Sequence, residues 1–167
     1  IKKVGFGFFE DSNLTIDLQQ VSNDAYLKSY KLKSPLINSN NLLTSSINLN
    51  GYSDSLIFNS EMLVYEDLSK KKNDRYEYIL PSFNLTKQLD QEFNLKGNLE
   101  LNSSGSIKNY DTNISEKTNI NDLVYSSNSF YTSSGLENNL NLIIKNVNSE
   151  STNSAEYKET FDSNLGA

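Results

Sequence analysis

The chain has 167 residues, a formal net charge of −6, and neither Cys nor His. Without Cys it contains no disulfide or thiolate chemistry, and without His it has no conventional Ser–His–Asp triad. Its acidic charge, with no cluster of Lys and Arg beyond LSKKKNDR, argues against a nucleic-acid partner. No apolar stretch approaches the roughly 20 residues that a transmembrane helix requires, so the sequence predicts none.

Asn and Ser, 25 of each, make up nearly a third of the chain. Both residue types are poor in helix interiors and suit hydrated surfaces and loops. So polar a composition is also typical of disorder. The ten Tyr and eight Phe, together with a regular apolar–polar alternation, argue against that interpretation.

The alternation has a period of two, which predicts strands with one apolar and one polar side. In LTIDLQ (residues 14–19), Leu and Ile alternate with Thr, Asp and Gln. Nine strands are predicted: near Val4–Glu10, Leu14–Asn23, Leu42–Asn50, Ser55–Glu66, Tyr76–Lys87, Glu92–Lys108, Thr118–Thr132, Asn138–Ser149, and a ninth from about Tyr157. The fold class expected is therefore all-β, with Ile57 and Leu63 as apolar exceptions on the polar side of the fourth strand.

The predicted connections alternate in length. The short ones are Asp11–Asn13, Gly51–Asp54, Gln88–Gln91 and Ser133–Glu137. The longer ones are Asp24–Asn41, Asp67–Arg75, Asn109–Lys117 and Glu150–Glu156. An antiparallel up-and-down meander with short turns at one end and long loops at the other is the layout of an outer-membrane β-barrel. A soluble sandwich has Greek-key crossings that interrupt this rhythm.

The stretch FNLKGNLEL (residues 93–101) shows the alternation most clearly. A sandwich would bury its apolar side against protein, whereas a membrane barrel would turn that side toward lipid. A run of polar side chains is costly inside a closed core, which favours the barrel. We therefore predict two sets of residues: Phe93, Leu95, Leu99 and Leu101 facing lipid, and Asn94, Lys96, Asn98 and Glu100 facing a wet lumen.

Two further features fit a barrel. Aromatic residues gather near the ends of predicted strands, as in the girdles that flank a lipid-facing band: Phe8, Phe9, Tyr26, Tyr76, Tyr78, Phe130 and Tyr131. Pro81 lies inside a predicted strand, where proline removes a ladder donor, so a β-bulge is expected there.

No residue set supports catalysis, metal ligation or cofactor binding. Nothing in the sequence brings the carboxylates to a catalytic distance from one another, and no GxSxG or calcium-loop motif is present. The sequence thus predicts a protein that is not an enzyme and has no metal or cofactor.

Three segments resemble the barrel of the lipopolysaccharide-assembly outer-membrane protein family, LptD. They are VSNDAY (residues 21–26), the hairpin that follows it, and RYEYILP (residues 75–81); SNSFYTSSGLENNLNLIIKN (residues 127–146) is similar to the alphaproteobacterial branch. Asn23 stands where the family's turn typically has Asp. Their order along nearly the whole chain carries the resemblance, because each motif alone is weak.

The resemblance implies part of a large transmembrane barrel in the outer membrane of a Gram-negative bacterium, which inserts lipopolysaccharide into the outer leaflet. Implied partners are lipopolysaccharide, membrane lipid, a plug lipoprotein in the lumen, and periplasmic transport-bridge proteins that engage an N-terminal domain. On this reading, residues 1–167 belong to the barrel domain, and we expect the N-terminal periplasmic domain and the barrel-closing strands to lie outside this segment.

Three alternatives stay open at this stage. A general porin-type barrel would share the fold but not the cargo. An adhesin-like β-domain would bind glycans through its Asn- and Ser-rich loops. A barrel hydrolase is also conceivable, and the absence of His counts against it.

Overall fold

The structure, a computed structural model, describes residues 2–3, 7, 9–25, 41–70, 74–90, 96–110 and 113–167. This part of the chain is entirely β-strand, turn and irregular structure, with no helix. The predicted all-β antiparallel meander is confirmed. Phe93, Asn94 and Leu95, and with them part of the predicted Glu92–Lys108 strand, lie outside the described residues.

Nine strands form one sheet in which each strand pairs with its neighbours in antiparallel fashion. They are β1 (Lys2–Lys3), β2 (Asp11–Asp17), β3 (Leu42–Ser53), β4 (Leu56–Asp67), β5 (Tyr76–Leu89), β6 (Gly97–Tyr110), β7 (Ile114–Ser127), β10 (Asn141–Thr152) and β11 (Asp162–Gly166). The remaining two, β8 (Phe130–Tyr131) and β9 (Glu137–Asn138), form a separate small hairpin. Within the described chain the sheet is open, with β1 and β11 at its two edges.

The strand register gives the sheet one mainly apolar face and one mainly polar face. Directly paired residues share a face, so Leu49, Ser60, Phe83 and Gly105 lie on one side and Asn50, Asn59, Asn84 and Ser104 on the other. We call the first side the apolar face; its large side chains include Leu14, Ile16, Ile47, Leu49, Phe58, Met62, Val64, Phe83, Leu85, Leu99, Leu101, Leu123, Tyr125, Leu142 and Ile144. Leu43, Leu56, Leu89 and Ile107 lie on the same face, as do the charged residues Glu66, Lys87, Lys117 and Glu150. The opposite side, the polar face, carries mainly Asn, Ser, Thr, Asp and Glu. Its apolar residues include Ile57 and Leu63 and also Leu42, Tyr52, Ile120, Val124, Ile143 and Val147.

The sheet is a single layer. In the described part of the chain, strands contact only the strands to which they are hydrogen-bonded, so no second sheet packs against the apolar face. Among the described residues, the buried hydrophobic ones are Leu43 and Leu68, with Val21 packed against them. The accessible surface is 11917 Å² for a chain of 18.9 kDa, against about 8,300 Å² for a globular protein of that mass. The part of the chain that the structure describes therefore lacks the buried core of a soluble domain.

The expected β-bulge at Pro81 is confirmed. Leu80 and Pro81 together oppose one residue on each neighbouring strand, Met62 on β4 and Ile107 on β6. Two residues on one strand facing one on its partner is the definition of a bulge, and it increases the local twist. Proline is accepted here because the ladder is already interrupted.

A glycine next to this bulge accommodates an aromatic ring. A Cβ added at Gly105 would lie 2.7 Å from the ring of Phe83 and 2.8 Å from the carbonyl oxygen of Thr118. The absence of a side chain at Gly105 is what lets Phe83 lie flat on the apolar face, as in the pairing of an aromatic with a strand glycine across a sheet.

Several predicted connections are wrong, and short and long connections alternate less regularly than expected. Asp11–Asn13 is not a turn but the start of β2, paired with residues 50–52. The predicted long connection Asn109–Lys117 shrinks to residues 111–113, and Gly51–Asp54 shrinks to the two residues 54–55. Ser133–Glu137 lies within a longer connection, residues 128–140, that contains the β8–β9 hairpin. Polar residues at these strand ends pair in the ladder, although their chemistry is also that of turns.

The strands are connected at two ends of the sheet, here called the turn end and the loop end. The turn end is where residues 54–55, 90–96 and 128–140 connect strands, and the loop end is where residues 18–41, 68–75, 111–113 and 153–161 do so.

Candidate functional site

The structure separates the two sets of residues predicted from FNLKGNLEL wherever it describes them. Leu99 and Leu101 lie on the apolar face, paired with Tyr125 and Leu123 of β7. Asn98 and Glu100 lie on the polar face, which follows from strand alternation. Lys96 precedes β6 and is exposed, and its carbonyl oxygen accepts hydrogen bonds from the Asn128 backbone N–H and the Tyr125 hydroxyl, at 3.0 and 3.2 Å.

The apolar side chains form a band that crosses the strands obliquely. In β3 the exposed part of the band centres on residue 48, between Ile47 and Leu49. The ladder row through residue 48 passes through residues 61, 82, 106 and 118 and reaches Ser149 in β10. The band in β10 instead centres on residue 143, between Leu142 and Ile144. The band has therefore moved six residues toward the turn end over five strand-to-strand steps, as a mean. The displacement is complete at β6, and from β6 to β10 the band follows one ladder row through residues 100, 124 and 143.

This displacement converts to an angle. With about 3.3 Å per residue along a strand and about 4.8 Å between strands, six residues over five steps correspond to about 20 Å along and 24 Å across, or a tilt of about 40°. Strands of closed barrels tilt by about 35–45° from the barrel axis. Ladder rows run perpendicular to the strands. An apolar belt perpendicular to the barrel axis would therefore cross these rows at the same angle by which the strands tilt from the axis.

The band is more than a third exposed at five side chains in β2, β3, β4 and β10, and partly exposed in β5, β6 and β7. The exposed fractions are 55% for Ile16, 53% for Leu142 and 48% for Ile144, and Ile47 and Met62 are also more than a third exposed. An exposed apolar surface of this extent marks an interaction with protein or membrane, because monomeric soluble proteins rarely leave large contiguous apolar patches in water.

The polar face carries a hydrogen-bonded network near the centre of the sheet. Gln88 Nε2 donates to Glu100 Oε2 at 2.8 Å, and Asn102 Nδ2 donates to Glu100 Oε1 at 2.6 Å. The Thr86 hydroxyl donates to Asn102 Oδ1 at 2.7 Å. These side chains satisfy one another across β5 and β6, so Glu100 is held in a polar environment rather than isolated.

The same network continues toward β10. Asp122 lies opposite Asn102 in the register, and its Oδ2 is 3.2 Å from Lys145 Nζ. Its Oδ1 is buried without a hydrogen-bond partner in the structure. A carboxylate oxygen without a partner is costly in a dry interior, so this surface requires contact with water or with a polar group.

Aromatic side chains lie toward both ends of the strands. At the loop end, Tyr76 and Tyr78 stack with ring centroids 6.2 Å apart. At the turn end, Phe9 and Phe58 also stack at 6.2 Å, and the β8–β9 hairpin exposes 55% of Phe130 and 69% of Tyr131. The predicted gathering of these residues near strand ends holds for the described ones.

A salt-bridge cluster, here called the loop latch, ties two connections together at the loop end. Arg75 donates to Asp24 through Nη1 and Nη2, at 3.0 and 2.6 Å, and to Glu66 through Nε at 2.7 Å. The hydrogen bonds from Arg75 lower the pKa of Asp24 below its usual value. The latch joins the VSNDAY and RYEYILP segments, which are 51 residues apart at this contact.

The described residues show no arrangement suited to catalysis or metal binding. No group of three or more Asp and Glu residues among them could hold a metal ion. No helix in this part of the chain is long and apolar enough to cross a membrane. Sequence reasoning missed the loop latch and the oblique course of the band, because both depend on contacts between distant strands.

Comparisons with protein-family models, with curated proteins and with solved structures find no match to this chain. The resemblance stated above therefore rests on the quoted segments alone.

The loop latch predicts a pH-dependent contact. Because the pKa of Asp24 is lowered in the folded state, its pairing stabilises the fold above the ordinary pKa of about 3.9 and is lost as the pH falls through the lowered value. Replacing Arg75 by Met should return the Asp24 pKa toward about 3.9 and should accelerate hydrogen exchange in residues 18–25.

Lys70→Met is the matched control. Lys70 lies in the same loop as Arg75, and its Nζ is 3.5 Å from Oε1 of Glu77 in β5, on an exposed surface. An NMR titration of Asp24 gives the pKa, and exchange measured by mass spectrometry gives the protection. An unchanged Asp24 pKa in Arg75→Met would show that the latch does not form.

Proposed function

We propose that this chain is a segment of an outer-membrane β-barrel whose apolar face contacts lipid and whose polar face lines a hydrated lumen. The observation that carries the proposal is the uncovered apolar band and its oblique course of about 40°. Lipid would cover the band without a second protein layer, and strand tilt would account for the angle. The loop lengths do not support this proposal, because they do not alternate strictly: the connection at residues 111–113 is short although it lies at the loop end.

A soluble sandwich accounts less well for the same features. It would need another sheet over the apolar face, and in the described chain none is present. A sandwich that placed the polar face in its core would fit no better, because that face carries Glu100, Asp122 and Lys145 together with rows of Asn. Burying these groups in a dry core would be costly, whereas a water-filled lumen solvates them.

In this assignment Leu99 and Leu101 face lipid, and Phe93 and Leu95 extend the same alternation. Asn98 and Glu100 face the lumen, with Asn94 and Lys96 as the corresponding polar positions. Tyr76, Tyr78 and Phe58 would lie at the two membrane–water interfaces, where aromatic rings are enriched in outer-membrane barrels.

The family resemblance extends the proposal to a cargo. We propose that the whole protein inserts lipopolysaccharide into the outer leaflet of a Gram-negative outer membrane, without catalysis. A plug lipoprotein would contact the polar face, and periplasmic bridge proteins would deliver the lipopolysaccharide. VSNDAY and RYEYILP support this step, and the loop latch gives them a shared structural role at the end of the sheet.

Lipid contact predicts an asymmetry between neighbouring residues. Leu99→Arg should destabilise the barrel by about 2–4 kcal/mol if position 99 lies near the bilayer midplane, because a charge there loses hydration. Asn98→Arg is the matched control on the polar face and should cost much less. The free energy of unfolding of the full-length protein in lipid vesicles, from urea titrations, measures both. Equal costs would contradict a lipid-facing stripe.

The cargo is tested in cells. Depleting the full-length protein should lower the amount of lipopolysaccharide in the outer leaflet, while newly made lipopolysaccharide accumulates on the periplasmic side. Surface labelling before and after depletion measures this. Steady surface lipopolysaccharide after loss of the protein would rule out the transport function and would favour a porin-type barrel or a glycan-binding surface domain.

A further inference from the structure

A recess of about 270 Å³ opens on the apolar face beside the Pro81 bulge. Pro81, Phe83 and Ile107 form its floor, and Phe161, from the connection before β11, forms one wall. Pro81 belongs to the bulge in β5, and Phe83 lies over Gly105, where a Cβ would meet its ring at 2.7 Å.

The rim of the recess carries one positive and one negative charge. Lys117 and Glu150 are paired in the register, and Lys117 Nζ lies 3.2 Å from Glu150 Oε2. Both side chains are about half exposed, at 53% and 48%, so both can exchange this contact for one with a ligand. Asn119 and Asn148 line the same rim and add amide donors and acceptors.

The recess lies at the loop-end boundary of the apolar band. Leu123 and Ile144, which belong to the band in β7 and β10, lie six residues from Lys117 and Glu150 along their strands. The intervening positions on the same face are Asn119, Asn121, Asn146 and Asn148, all polar. On β5, however, Phe83 and Leu85 still belong to the band. The floor of the recess is thus continuous with the apolar band, and its rim lies among polar side chains of the same face, nearer the loop end.

We infer that this recess binds a single membrane lipid with a phosphoethanolamine head group, an inference that rests on the proposed membrane placement of the apolar face. Lys117 and the amides of Asn119 and Asn148 would bind the phosphate, and Glu150 would bind the ammonium group. The acyl chain would lie over Phe83 and Ile107 beneath Phe161. An ion pair at the rim matches a head group with both charges, whereas a purely anionic head group would meet repulsion from Glu150.

Lipid binding is measured by native mass spectrometry of the full-length protein extracted from its outer membrane. The probes are a phosphoethanolamine lipid and a phosphoglycerol lipid with the same acyl chains. We expect the unsubstituted protein to retain the phosphoethanolamine lipid at least tenfold more tightly. The K117M/E150Q double variant should lose this preference. Asn148→Trp, which fills the recess and leaves both charges in place, should lose binding of both lipids.

The matched control is Lys87→Met, since Lys87 is a lysine on the same face but away from the recess, and it should bind as the unsubstituted protein does. Migration of unheated samples on gels verifies that each variant is folded. If folded K117M/E150Q and Asn148→Trp keep binding within twofold of the unsubstituted protein, or if both lipids bind equally, the lipid site is wrong while the membrane placement stands. If the unsubstituted protein does not partition into the membrane fraction, both the site and the proposed function fail.

Discussion

The unsatisfied hydrophobicity of one face of the sheet governs the rest of this structure. Burying a large apolar side chain is worth about 1.5–3 kcal/mol. Of the fifteen such side chains named on the apolar face, five are more than a third exposed and ten are partly exposed. The face would therefore gain on the order of 10 kcal/mol from an apolar environment. That is as large as the whole folding stability of a typical domain, about 5–15 kcal/mol. Something apolar must therefore cover this face in the working protein.

The polar face imposes the complementary requirement. Gln88, Glu100, Asn102 and Thr86 form a continuous hydrogen-bonded network, yet Asp122 keeps one carboxylate oxygen without a protein partner. A surface of this kind is stable when water reaches it and costly when sealed in a core. One sheet with a lipid-covered face and a wet face satisfies both requirements, and the oblique course of the band relates the two faces to a tilted barrel wall.

The parts that follow from strand geometry were predictable from the sequence. Alternation alone separates Leu99 and Leu101 from Asn98 and Glu100, since successive side chains point to opposite faces. The bulge at Pro81 was predictable because proline cannot donate to the ladder. The ends of strands were not, as Asp11–Asn13 and residues 114–117 show: these polar segments pair in the sheet although their chemistry also suits turns. The tilt of the band and the contact of Arg75 with Asp24 required the register and the tertiary fold, which local patterns do not contain.

The absence of Cys allows a direct test of the central claim. Single cysteines placed along β3, β5, β7 and β10 of the full-length protein in lipid vesicles carry a spin label, and its collisions with oxygen and with a water-soluble nickel complex report lipid depth. We predict that oxygen accessibility alternates with a period of two, and that the deepest position moves from about residue 48 in β3 to about residue 143 in β10, six residues away from the ladder row through 48. A flat profile without alternation, or a deepest position that follows one ladder row across the sheet, would contradict a tilted, lipid-facing wall.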